Sequence, residues 1–265
     1  MAVVLEGGCR VSQMNEGSPD TVGSMKIWRQ IGRNTGAQAI SLRILEFGPG
    51  SSPVIQNHEA DEVFYYLEQI DVALALKETC LVRINEEAFD ITAQTGFYLA
   101  PGQTMTVENS GTEPVVLVSA QCPEPAGDAE MIDSEDGRRG RLRSQQDRSL
   151  KFQAVRLADR AAIPTADRWY RVLVDDEVGS DQVTQFVGSI PPGRAPDHFH
   201  QYEEVLFILR GEGRMWAGET NTPIGPGSCI YLPKGQVHCV ENTGVNELRL
   251  LGVFYPAGSP SVRYE

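Results

Sequence analysis

Long apolar runs, paired cysteines, surplus positive charge and a sustained helical period are all missing from this 265-residue chain. Each absence removes a class of protein. Without a run of 18 apolar residues there is no candidate membrane-spanning helix. The first nine residues, Met1 to Cys9, have neither a basic leader region nor an apolar one, so a soluble, cytoplasmic protein is expected. The five cysteines, Cys9, Cys80, Cys122, Cys229 and Cys239, are odd in number, widely spaced and without a CxxC pair. That pattern gives neither a disulfide framework nor a zinc knuckle, and buried free thiols are the expectation. With 36 acidic against 23 basic residues and a net charge of -13, the chain repels phosphate backbones, which argues against a nucleic-acid partner. A GxSxG nucleophile turn is also missing, and Gly211-Glu212-Gly213 lacks the following helix pattern that a nucleotide loop needs.

What is present reads as β-structure. Short segments rich in Val, Ile, Leu, Phe and Tyr alternate with Gly, Pro and Asn turns, the signature of an all-β fold. A polar stretch from Cys122 to about Lys151 carries an acidic run followed by Arg138, Arg139, Arg141 and Arg143, and is expected to be a solvated linker. The implied organisation is an N-terminal unit over residues 1–122, a linker over 123–150 and a C-terminal unit over 151–265. The two units repeat each other. Gly48-Pro49-Gly50 corresponds to Pro191-Pro192-Gly193, and Glu108-Asn109-Ser110-Gly111 to Glu241-Asn242-Thr243-Gly244. The first copy holds nine more residues between its motifs, placed near Gln69 to Thr79, and Gln69 takes the turn position of Gly211.

Three of the four histidines, His198, His200 and His238, lie in the second copy. In an extended segment Pro196 to His200, His198 and His200 project to one side and Phe199 to the other. Glu204 follows four residues later and opens the apolar strand Val205 to Leu209, with Glu203 as a neighbouring competitor. A second cluster reads Gly227, Pro233, Gly235, His238, Asn242. Together these segments resemble the two motifs of the cupin superfamily, although one residue fewer than usual separates Gly193 from His198.

The resemblance implies an all-β architecture of two cupin (double-stranded β-helix, jelly-roll) barrels in tandem, a bicupin. It implies that His198, His200, Glu204 and His238 hold one divalent transition metal, iron, manganese, nickel, copper, cobalt or zinc, leaving coordination positions open for a substrate. In the first copy Gln56, His58 and Glu62 fit the first motif with glutamine for its first histidine, and Met105 stands at the second-motif histidine. These are poorer donors, so a second metal site there is the weaker expectation. Tyr202, Trp216, Arg194 and Lys234 are neighbours in sequence that packing or surface roles explain as well as site roles. Resemblance to quercetin dioxygenases, oxalate decarboxylases, ureidoglycine aminohydrolases and isomerases points first to a dioxygenase-type oxidoreductase on a small organic substrate, with Glu204 as base. The alternatives are a redox-neutral lyase, decarboxylase or isomerase, and a non-enzymatic binding or sensor module. The family also implies homodimers in many members.

Overall fold

The computed structural model describes residues 1–57, 59–68, 79–125, 131–132 and 154–261. Among them the only helical pieces are four three-residue 3-10 turns, and no helix is long and apolar enough to cross a membrane. The strands form four antiparallel sheets. In each half a large sheet faces a smaller one across an apolar interior. The C-terminal half sets eight strands against four, and the N-terminal half seven against six. Both interiors are closed by alternating side chains. On Glu203–Arg210, Leu206 and Ile208 point into the C-terminal barrel, and on Asp61–Tyr66, Phe64 and Tyr66 point into the N-terminal one.

The opposite faces of the same strands are equally apolar, which is why these strands read as continuous hydrophobic runs. Val205 and Phe207 pack with Val63 and Tyr65 in a third core between the two large sheets, so the barrels lie back to back. Glu203 is one of the polar groups buried on that face. It accepts hydrogen bonds from the backbone N–H groups of Gln38 (2.8 Å) and Ala39 (2.7 Å), and from the Tyr231 hydroxyl.

The sheets also exchange strands across the unit boundaries drawn from sequence. Arg10–Gln13, near the start of the chain, pairs antiparallel with Ser228–Leu232 in the large C-terminal sheet, and Val3–Val4 extends that edge. Reciprocally, Ala154–Arg156 pairs with Thr95–Leu99 in the large N-terminal sheet. Within the expected linker, Met131–Ile132 pairs with Val54–Gln56. Most of that linker, the four arginines 138–143 and the insertion at 69–78 lie outside the described residues.

The repeated Glu-Asn-x-Gly motif has a structural role in both halves. The Asn242 side-chain amide donates to the carbonyls of Ile190 (2.9 Å) and Asn246 (2.8 Å) and its oxygen accepts from Gly244 N–H (2.9 Å). Asn109 makes the equivalent bonds to Phe47, Glu113 and Gly111. Each asparagine ties the turn after its strand to the opposite sheet. Gly193 (φ 122°) and Gly50 (φ 98°) sit at matching left-handed turns where a side chain would be strained.

Candidate metal centre

The C-terminal site spans the two sheets of its barrel. His238 begins the strand His238–Asn242 of the small sheet, and Glu204 lies on Glu203–Arg210 of the large one. The segment carrying His198 and His200 departs from the expected regular strand. It makes an isolated bridge, His198 opposite His238, in which the two residues exchange both backbone hydrogen bonds (3.0 and 2.8 Å). Pro196, lacking an N–H, cannot extend that ladder. Directly paired residues of an antiparallel bridge project to the same side, which brings the two imidazoles together. Glu204 therefore completes the set from the opposite sheet.

The three rings lie with centroids 4.6 to 5.1 Å apart, and one ligand atom from each lies within 4.8 Å of the others. The Nδ1–H of His198 donates to the Pro196 carbonyl (3.0 Å), and the Nδ1–H of His238 to the Gln236 carbonyl (2.8 Å). A carbonyl only accepts, so both rings are fixed as the tautomer that turns an Nε2 lone pair inward. Burial and the neighbouring His198 lower the His238 pKa to about 4, keeping it neutral. His200 Nε2 stands 3.3 Å from Glu204 Oε2. Burial alone pushes the Glu204 carboxyl up to about 8, because a bare carboxylate there has lost its water. A neutral His238, two further imidazoles and one buried carboxylate suit a divalent cation, and the donor set fits a transition metal.

The adjacent glutamates are told apart by strand parity: Glu204 faces the cavity, while Glu203 is spent on the contact between barrels. The cavity measures about 110 Å³. His198, His200, Glu204 and His238 line it together with an apolar wall that includes Tyr170, Phe186, Leu206, Val240 and Leu250, and with Arg168. None of these wall residues stands out in the sequence. Strand periodicity alone gives no indication of which alternate face reaches this cavity.

The four neighbours singled out by sequence divide. Tyr202 stacks on His200 (centroids 4.7 Å, planes 8° apart) and on Phe254 (4.5 Å), bracing the His200 ring. Trp216 lies under the Arg194 guanidinium (4.3 Å) and donates to Glu241 (2.8 Å). Arg194 also pairs with Asp197 (3.0 Å), next to His198. Lys234 is exposed and lines a different cavity, beside Glu203 and Tyr231.

The N-terminal counterpart is arranged differently. His58 lies outside the described residues. Gln56 is half-buried on Val54–Gln56, and Met105 is buried in the barrel core. Glu62 is fully buried and already engaged: Arg43 pairs with it, the Ser119 hydroxyl donates to Oε1 (2.5 Å) and the Gln121 amide to Oε2 (3.2 Å).

Comparison with known proteins agrees with this architecture. The cupin domain family matches residues 186–254, a segment that includes all four candidate ligands. The oxalate-binding protein of Thermotoga maritima is 36% identical over 66 residues, covering 24% of this chain and 54% of its own. Auxin-binding protein 1 of Arabidopsis thaliana is 32% identical over 83 residues, 28% of this chain and 42% of its own. The matched segments thus span about half the length of these relatives. Among solved structures, a serine-to-alanine mutant of Bacillus subtilis oxalate decarboxylase superposes with a TM-score of 0.72 at 13% identity, covering 94% of this chain and 77% of its own. The Escherichia coli protein YlbA superposes at 0.71 and 11% identity, covering 98% and 96%. A putative glyoxylate-induced protein of Pseudomonas aeruginosa does so at 0.70 and 14%, covering 96% and 90%. At such identities these structures establish the fold alone. Residues 186–254 thus form a cupin domain, and the fold of the chain is the two-barrel fold of these structures.

Proposed function

We propose that the C-terminal barrel is a metal-dependent catalytic centre, held by His198, His200, Glu204 and His238, that transforms a small organic molecule. The observation that carries this reading is the convergence of three imidazoles and one buried carboxylate on a cavity with an apolar wall. A bound transition metal would supply Lewis acidity and, for a redox-active ion, a route to dioxygen. The chain's own residues do the rest. Tyr170, Phe186, Leu206 and Leu250 receive the apolar part of the substrate and exclude water. The backbone carbonyls of Pro196 and Gln236 hold two imidazoles in one tautomer. Glu204, with Oε2 beside His200, is the group placed to take a proton from the substrate. Relatives named for binding oxalate and auxin support a small organic ligand.

The apolar wall favours a dioxygenase-type oxidoreductase acting on an apolar or aromatic hydroxylated compound. The second reading, a redox-neutral lyase, decarboxylase or isomerase, draws on the same carboxylate, since proton transfer by Glu204 needs no oxidant. Elemental analysis of the purified protein, followed by turnover assays with and without dioxygen, separates them. About one equivalent of iron, copper or nickel with oxygen-dependent turnover supports the first. Turnover undiminished without oxygen selects the second, and a chain that takes up no transition metal refutes both.

A further inference from the structure

The two barrels answer the same electrostatic problem in different ways. Glu62 and Glu204 hold equivalent positions: each opens the repeat's central strand, and each pairs across its sheet with corresponding residues, Leu99 and Gln121 in one barrel, Leu232 and Phe254 in the other. A buried carboxylate without a counter-charge is strongly unfavourable in either place. In the C-terminal barrel three histidines stand nearby to hold an ion beside it. In the N-terminal barrel one of those places is taken by Met105, a buried thioether.

The cross-strand pairs next to these glutamates have changed together. Opposite each other in the C-terminal sheet are Phe186 and Gly252, and a side chain at 252 would collide with the Phe186 ring. The matching pair in the N-terminal sheet is Arg43 and Ser119. There the guanidinium bonds the Ser119 hydroxyl (3.1 Å) and pairs with Glu62, while the Phe254 equivalent, Gln121, donates to the second carboxylate oxygen. Arg43 and Glu62 are both buried, with side chains 4% and 0% exposed. An aromatic wall has become a cation and two hydrogen-bond donors, all directed at one carboxylate.

We propose that the N-terminal barrel is closed to metal, with the Arg43 guanidinium as its permanent internal cation. A ligand carboxylate must present a free oxygen lone pair to an ion. Three of the four lone-pair sites of Glu62 are taken by Arg43, Ser119 and Gln121, and an entering cation would meet the fixed charge of an arginine that does not deprotonate. Closure of this barrel does not depend on the chemistry proposed for the other.

Equilibrium dialysis of the full chain against Mn(II), Fe(II) and Zn(II) in separate anaerobic experiments, followed by elemental analysis, tests it. Wild type is expected to hold one equivalent and His198→Ala/His200→Ala/His238→Ala, checked for folding by circular dichroism, none. Two equivalents in wild type, or one retained when His198, His200 and His238 are all replaced by Ala, overturns the proposal. A wild type holding none supports the closed N-terminal barrel and refutes the C-terminal centre, so the two readings fail separately. Thermal melting tests the charge role. Arg43→Met strands Glu62 and is expected to lower the melting temperature by roughly 10 °C, whereas Arg43→Met/Glu62→Gln recovers much of that loss. Equal losses in the single and double variants overturn the role assigned to Arg43. Should Arg43→Met fail to fold, a folded double variant gives the supporting answer.

Discussion

His200 is the residue on which the centre depends most directly, since it faces Glu204 at 3.3 Å and is braced from behind by Tyr202. His200→Ala is expected to weaken metal binding by more than the ~10–100-fold typical of losing an outer partner, with circular dichroism unchanged; metal titration checks it. Tyr202→Leu, which removes only the brace, is expected to fall within that ~10–100-fold range. Asp61 offers a pH test away from the centre. Burial raises its carboxyl above the usual range, Tyr98 pulls it down by hydrogen bonding and Asp181 adds to the rise. A carboxyl raised on folding favours the fold below its unfolded pKa and loses that contribution as pH rises through the folded value. Asp61→Asn should therefore gain melting temperature relative to wild type between pH 4 and pH 7; a constant difference would count against it. At this scale the sequence was informative where chemistry is local. The His-x-His spacing and the preference for Glu204 over Glu203 could be read within nine residues. The partnership of Arg43 with Glu62 and Ser119 could not, because it joins three strands and no motif marks it.

Among the elements, the short strand Arg10–Gln13 contributes more than its length suggests. It covers an edge of Ser228–Leu232, and the segment around it buries Leu5, Cys9 and Val11 in the C-terminal barrel. Deleting residues 1–13 is expected to lower stability by at least the ~1.5–3 kcal/mol each that burial of Leu5 and Val11 contributes. The exposed edge should also promote self-association. Denaturant midpoints and gel filtration read the two effects, and an unchanged midpoint would mean that the strand is only an ornament of the sheet. The duplication was legible from repeated Gly and Asn turns, since those depend on local backbone conformation. The exchange of edge strands was not, because Arg-Val-Ser-Gln has the alternation of any edge strand and nothing in it names a partner.

For the whole molecule, the core shared by the two large sheets and the reciprocal exchange tie the barrels into one structure. A single unfolding transition is expected by calorimetry, with calorimetric and van't Hoff enthalpies equal; two resolved transitions would show the halves to be independent. The exchange also has a consequence for synthesis. Gln13 bonds Ser228 across 215 positions of the chain, so Arg10–Gln13 waits long for its neighbour. At typical elongation rates of about 5–20 residues per second, that wait is roughly 10–40 s. During it the N-terminal half has its own sheets available to fold, but the residues before it have no edge to join. Completion of the C-terminal barrel thus waits for the synthesis of Ser228–Leu232.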